Sequence, residues 1–180
     1  MTRILLTCGA SVAIYKACDL ASKLTQAGNQ VRTVLTPAAA ELISPQLFEA
    51  VTSQSAQSSE FGAERRGAMD HVELAEWAEL LLVAPASADL IGRLAHGLAG
   101  DLATTLALAY AAARPRLLCP AMNPKMLGHP SVQRNLTQLR EDGWQILDPA
   151  EGHMACGDAG PGRLPEPAAI VARVRELMGS

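Results

Sequence analysis

Aromatic residues are scarce in this 180-residue chain: Phe, Tyr and Trp together make up 3% of it, two of each. Apolar residues nonetheless reach 49%, so a core of this size has to be aliphatic, built from Ala, Leu and Val. Basic charge is not in excess either. Fifteen Lys and Arg against eighteen Asp and Glu leave a net charge of −3, which gives no footprint for nucleic acid or an anionic membrane. No run approaches the roughly 20 apolar residues of a membrane span. Ala103 to Ala113 is the greasiest helical stretch and suits a buried or interfacial helix. Near the start, Ile4-Leu5-Leu6 is soon interrupted by Gly9, Ser11 and Lys16, too early for a signal peptide. The cysteines Cys8, Cys18, Cys119 and Cys156 form no CxxC pair and no metal-ligand spacing. Such usage fits the reducing cytoplasm rather than a disulfide framework. GxGxxG, the P-loop GxxxxGK[ST] and the GxSxG elbow are missing as well, which removes the commonest dinucleotide, triphosphate and hydrolase signatures.

What is present is an alternation of short apolar runs and helical segments. Strands are expected at 3–8, 30–35, 80–84, 116–119 and 144–147. Helices are expected at 12–27, closed by Gly28, then from Thr36-Pro37, and at 45–53, 71–78, 89–97, 101–112, 131–142 and 167–178. The polar Ser/Gln/Gly stretch 54–67 reads as the most mobile loop, and 152–167 as a Gly/Pro loop. Strands alternating with helices predict an α/β fold: a doubly wound parallel sheet in a flavodoxin-like, Rossmann-like three-layer sandwich, one domain over residues 1–180.

In such sheets ligands bind outside the carboxyl ends of the strands, near the point where strand order reverses. The loops expected there hold the unusual polar residues. Gly9-Ala10-Ser11 lies between a strand and a helix start, where backbone N–H groups favour a phosphate or Ser11 simply caps the helix. Thr36 and Ser87 offer two more hydroxyl turns, and three such turns suit a mononucleotide better than a dinucleotide. The small residues of Pro85-Ala86-Ser87-Ala88-Asp89 would admit a flat ring close to the backbone. His71 can serve as acid, base or carboxylate partner, although a lone histidine is more often structural. Asn123 offers an amide able to orient a carboxylate, or to stabilise the turn before Pro124. Met122 and Met126 would form an adaptable apolar wall beside Ala121. Cys156 sits among loop residues, whereas Cys8, Cys18 and Cys119 fall on strands or a helix as small hydrophobes. No His/Asp/Glu spacing suggests a metal.

Five motifs in order resemble the flavin-dependent cysteine decarboxylase family, and most closely its coenzyme A branch. They are the first flavin loop Gly9 to Lys16, an active-site His71, and Pro85 to Leu90 as a PASANT motif. Pro120 to Met126 follows as PxMNxxMW, then Ala155 to Pro167 as the substrate clamp within the 152–167 loop. The resemblance implies FMN, held by Gly9, Ala10, Ser11, Thr36, Pro85, Ala86, Ser87 and Asp89. The implied reaction is decarboxylation of 4′-phosphopantothenoyl-cysteine to 4′-phosphopantetheine, through a thioaldehyde and an enethiolate. Substrate would be bound by Ala121, Met122, Asn123 and Met126. By that analogy His71 assists oxidation and decarboxylation, Asn123 binds the carboxylate, and Cys156 supplies a proton in the final reduction. The family also implies a homotrimer, or a dodecamer of trimers, with active sites between subunits. A separate synthetase chain would then make the substrate.

Two positions depart from the family pattern. Asp89 stands in place of Asn, which beside a flavin ring would place a carboxylate in a poorly solvated site. Leu127 replaces a Trp and would remove a large wall. Lys125 and Arg93 are candidates to hold a substrate phosphate, although such cations more often serve only to solvate the surface. A peptidyl-cysteine decarboxylase that releases the enethiol is disfavoured by Cys156. A flavin prenyltransferase is disfavoured by His71 and the Met122-Asn123 pair. A non-catalytic regulatory homologue is kept open by Asp89.

Overall fold

The computed structural model describes residues 1–61, 69–153 and 159–179. Its strands are β1 (Arg3–Cys8), β2 (Gln30–Leu35), β3 (Ala56–Gln57), β4 (Leu80–Ala86), β5 (Arg116–Pro120), β6 (Gln145–Ile146), β7 (Ala150–His153) and β8 (Ala159–Arg163). Its helices are α1 (Tyr15–Gln26), α2 (Pro37–Ala40), α3 (Pro45–Thr52), α4 (Asp70–Trp77), α5 (Ala88–Ala95), α6 (Leu102–Ala109), α7 (Pro124–Leu127), α8 (Pro130–Glu141) and α9 (Pro167–Met178). A 3-10 turn at Val12–Ile14 leads into α1.

Six strands form one parallel sheet in the order β3-β2-β1-β4-β5-β6. The chain winds outward from β1 to β3 and returns to add β4, β5 and β6 on the other side, so order reverses between β1 and β4. Alternate residues of each central strand feed opposite cores. Ile4, Leu6, Leu80, Leu82 and Leu117 pack with α1, Phe48 of α3 and Ile170 and Val174 of α9. Leu5, Leu81, Val83 and Leu118 pack with α4, α5, α6 and α8. These leucines are fully buried, each stabilising the fold by about 1.5–3 kcal/mol relative to exposure. The result is the expected three-layer, doubly wound sandwich.

Helix ends follow local chemistry. In α1 the Gly28 N–H donates to Thr25 O at 2.9 Å and the Asn29 N–H to Leu24 O at 3.2 Å, with Gly28 left-handed at φ 86°. This is a Schellman closure at the expected glycine. Asp101 and Thr104 form a reciprocal capping box that starts α6.

Three expectations need revision. The stretch 54–67 is not all loop: Ala56–Gln57 pairs with Thr33 and Val34 as an edge strand, too short for any periodicity to reveal. Pro124–Leu127 is a single helical turn rather than a simple turn. The flanks of the 152–167 loop are strands, β7 and β8, paired antiparallel. Glycines conceal that hairpin in the sequence. At Gly152 the backbone itself favours glycine, with φ 142°, and the Arg163 side chain runs close over it, its Nη1 2.7 Å from where a Cβ would stand.

Candidate functional site

Backbone bonds bring four loops together at the carboxyl ends of β1, β4 and β5. The Gly9 N–H donates to Pro85 O at 2.8 Å across the switch point, and the Thr36 N–H donates to Cys8 O at 3.0 Å. The Ala121 N–H donates to Ala86 O at 3.0 Å, beside a register shift between β4 and β5. The Met122 N–H donates to Gly162 O at 3.0 Å, which lays the β7–β8 hairpin over the loop after β5. Ser11 adds a side-chain tie: its hydroxyl donates to Ala121 O at 3.2 Å and accepts the Ala13 N–H at 3.3 Å.

A cleft of about 490 Å³ opens between these loops, within the range of small-molecule sites. Ala10, Ser11, Ser87, Ala121, Met122, Asn123 and Met126, all expected from the sequence, line it together. Gly9, Pro85 and Ala86 lie behind this lining. An added Cβ on Gly9 would come within 3.1 Å of Pro85 O, Ser87 N and Leu90 Cδ2, so even a methyl group would have to push these neighbours aside. Ser87 caps α5 by accepting the Leu90 N–H at 3.3 Å. Asn123 caps α7, its Oδ1 accepting the Lys125 N–H at 2.8 Å. Capping and cleft-lining coexist at both residues.

Other expected residues fall elsewhere. Thr36 is buried and caps α2 by accepting the Ala39 N–H at 3.2 Å, and it does not line the cleft. Asp89 points away from the cleft, 71% exposed, and pairs with Arg93 at 2.9 Å. The poorly solvated carboxylate expected from its position is absent because the i,i+4 spacing on α5 places Arg93 beside it in solvent. Leu127 packs into the core under α8 and not against the cleft, so the missing Trp wall does not bear on it. His71 is the second residue of α4, with Nδ1 against Glu60, and is not among the cleft residues. Cys156 lies outside the described residues. Arg93 is engaged by Asp89 and by Asp101 at 3.8 Å. Lys125 is exposed and does not line the cleft.

The charged lining was not expected. Lys16 and Arg163 are the charged side chains among the described residues of the wall. Lys16 is only 11% exposed, and its ammonium meets Glu166 Oε1 at 2.7 Å. Arg163 Nη2 reaches the same oxygen at 3.4 Å. The hydrogen bond from Lys16, and then its charge, hold the Glu166 carboxyl below the usual range. Both cations lie inside motifs recognised in the sequence, but nothing in those motifs shows that they converge. Exposed apolar side chains of Val12, Tyr15, Leu42 and Met126 also line the cleft. Of these, Leu42 carried no sequence signal.

Burial drives the Cys8 and Cys119 thiols well above the ordinary thiol range. Both belong to the core, as expected. Among the described residues, no group of three His, Cys, Asp or Glu side chains is placed to hold a metal. Nor is any described helix long and apolar enough to cross a membrane.

Comparison with known proteins gives consistent matches. The family described as Flavoprotein matches residues 1–179. The coenzyme A biosynthesis bifunctional protein CoaBC of Bacillus subtilis (strain 168) is 43% identical over 168 residues, 93% of this chain and 41% of that protein. The chain thus spans about two fifths of the length of the curated relatives it matches. Among solved structures, a mutant PPC decarboxylase complexed with pantothenoylaminoethenethiol superposes with a TM-score of 0.86 at 30% identity, covering 99% of both chains. The FMN binding protein AtHal3 gives a TM-score of 0.86 at 31% identity, covering 97% of this chain and 95% of that one. With a crevice at the switch point and a family match running nearly its whole length, the chain belongs to the flavoprotein family.

Proposed function

We propose that this chain is an FMN-dependent decarboxylase that converts 4′-phosphopantothenoyl-cysteine to 4′-phosphopantetheine in coenzyme A biosynthesis. The observation that carries this reading is the cleft itself, in which Asn123, Met122, Ser11 and Ser87 converge beneath the β7–β8 hairpin. The relatives named above support the choice of reaction and cofactor.

The residues present fit FMN. The missing side chain at Gly9 keeps the loops after β1 and β4 close together. Ala10, Ser11, Ala88 and Ala121 offer small lining suited to a flat ring, and Ser11 and Ser87 offer hydroxyls. Bound FMN supplies a two-electron acceptor and donor, while the protein contributes orientation and proton control.

Asn123 orients the substrate carboxylate, its rotamer fixed by the bond from the Lys125 N–H. Met122 and Met126 supply an adaptable apolar wall against the cysteinyl arm and exclude water from it. Residues 152–167 act as the clamp, and its Cys156 delivers a proton in the closing reduction. Residues 1–180 work as a single decarboxylase domain in the cytoplasm.

His71 serves as the acid–base group from a neighbouring subunit, in a homotrimer or a dodecamer of trimers. Two observations support that placement: His71 does not line the cleft of its own chain, and the cleft is edged by exposed Val12, Tyr15 and Leu42. Exposed apolar side chains of this kind suit a subunit contact.

The test is anaerobic incubation of the FMN-loaded protein with 4′-phosphopantothenoyl-cysteine, with products identified by mass spectrometry. Appearance of 4′-phosphopantetheine is expected. Protein that holds FMN yet leaves this substrate intact would refute the assignment and direct attention to peptidyl-cysteine substrates. Protein that holds no flavin would favour a regulatory homologue.

A further inference from the structure

The charged lining of the cleft has a composition that its present partner does not satisfy. Lys16 and Arg163 place two positive charges on its wall, with no acidic residue among the described lining. Both cations share one carboxylate oxygen, Glu166 Oε1, at 2.7 and 3.4 Å. One negative charge cannot neutralise two positive ones. The three side chains also differ in burial. Lys16 is 11% exposed and loses its hydration there, whereas Glu166 is 65% exposed. Swinging into solvent therefore costs Glu166 little, but a buried ammonium needs an anion. A phosphate monoester carries about −1.5 to −2 charges and three acceptor oxygens, enough to serve both cations at once. Arg163 is suited to the role by its fixed fork of donors. Its side chain also runs closely over Gly152.

We infer that Lys16 and Arg163 form the subsite for the phosphate of the substrate, and that Glu166 stands in for that phosphate until it arrives. This rests on the reading of the cleft as the substrate site. Substrate phosphate is favoured over cofactor phosphate by the origin of the residues. Arg163 closes β8 and Glu166 immediately precedes α9, both beside the proposed clamp, whereas Lys16, the second residue of α1, is the one member of the three next to the loop that ends β1.

Calorimetric titration of the FMN-loaded protein with 4′-phosphopantetheine and with pantetheine isolates the phosphate, because the two ligands differ in nothing else. The wild-type protein is expected to prefer the phosphorylated ligand by about tenfold or more, as for charge-assisted contacts. In Lys16→Met and Arg163→Met that preference should collapse towards unity, and in Glu166→Gln it should widen. Equal affinity of the wild-type protein for both ligands, or an unchanged preference in both Met variants, overturns the inference. Flavin content, read from absorbance in the same samples, separates the other source. If the Met variants lose FMN while the remaining holoprotein keeps its preference, the cations serve the cofactor phosphate and the inference fails. Turnover assays judge the decarboxylase reading separately, since phosphate preference in binding does not depend on catalysis.

Discussion

Gly9 and Pro85 are joined by a 2.8 Å hydrogen bond from the glycine N–H to the proline carbonyl, across the boundary where the sheet reverses its winding. A side chain on Gly9 would press on that carbonyl, on Ser87 N and on Leu90 Cδ2, each at 3.1 Å. Two of these neighbours are backbone and cannot rotate aside. Gly9→Ala should therefore destabilise the fold by about 1–3 kcal/mol and reduce retained flavin. Chemical denaturation and absorbance of the purified protein measure the two effects, and a wild-type midpoint with full flavin would contradict the account.

If each site takes His71 from one subunit and Asn123 from the next, two inactive variants can rescue one another. His71→Asn and Asn123→Ala homo-oligomers are each expected to be inactive. Random co-assembly should then restore about a quarter of all sites, and about a third of those in trimers that contain both variants, because one interface in three of a mixed trimer pairs two intact contributors. Co-expression with two affinity tags, followed by assay of the doubly purified species, checks this. Continued inactivity of properly mixed oligomers would place both groups in the same chain's site.

Cys8 and Cys119 should resist alkylation while the protein is folded. Burial holds both thiols protonated, and Cys8 also donates to Ala84 O at 3.3 Å. Peptide mapping after iodoacetamide treatment near pH 8 should show both positions modified at the rate of global unfolding. Rapid labelling of either would mean that the sheet opens locally at its centre.

The Glu166 carboxyl is held below its ordinary range, mainly by the Lys16 hydrogen bond. A depressed carboxyl strengthens the folded state above the unfolded value of about 4.3, and that contribution fades as pH falls through the folded value. Wild-type protein should accordingly melt above Glu166→Gln near neutral pH, with the two midpoints converging under acid. Because Glu166 is well exposed, salt should narrow the difference as well. A gap independent of both pH and salt would assign the effect to packing.

The sheet was legible because its central strands are buried on both faces and carry short apolar runs, as in Ile4-Leu5-Leu6 of β1 and in Leu80–Ala86. Capping residues marked the helix starts: Ser11, Thr36 and Ser87 all accept backbone N–H groups as their positions suggested. The cleft was legible for a related reason, since the loops at strand ends are the only place such a sheet offers a ligand. Side-chain direction was not. Asp89 sits in a recognised motif yet turns out to Arg93, and Thr36 spends its hydroxyl on its own helix. Convergence over long distances was hidden too. Nothing local to Lys16 announces Glu166, which lies 150 positions away.

That separation bears on how the molecule comes together. Lys16 waits for Glu166, Ser11 for Ala121 110 positions on, and Gly9 for Pro85. Closing such loops costs chain entropy before any contact is made, so the cleft belongs among the last parts to assemble. On the ribosome, a partly synthesised chain carries the turn after β1 long before the opposite wall of the cleft exists. Retained flavin colour would then report complete folding, and a ligand that binds only the finished chain would in turn stabilise it.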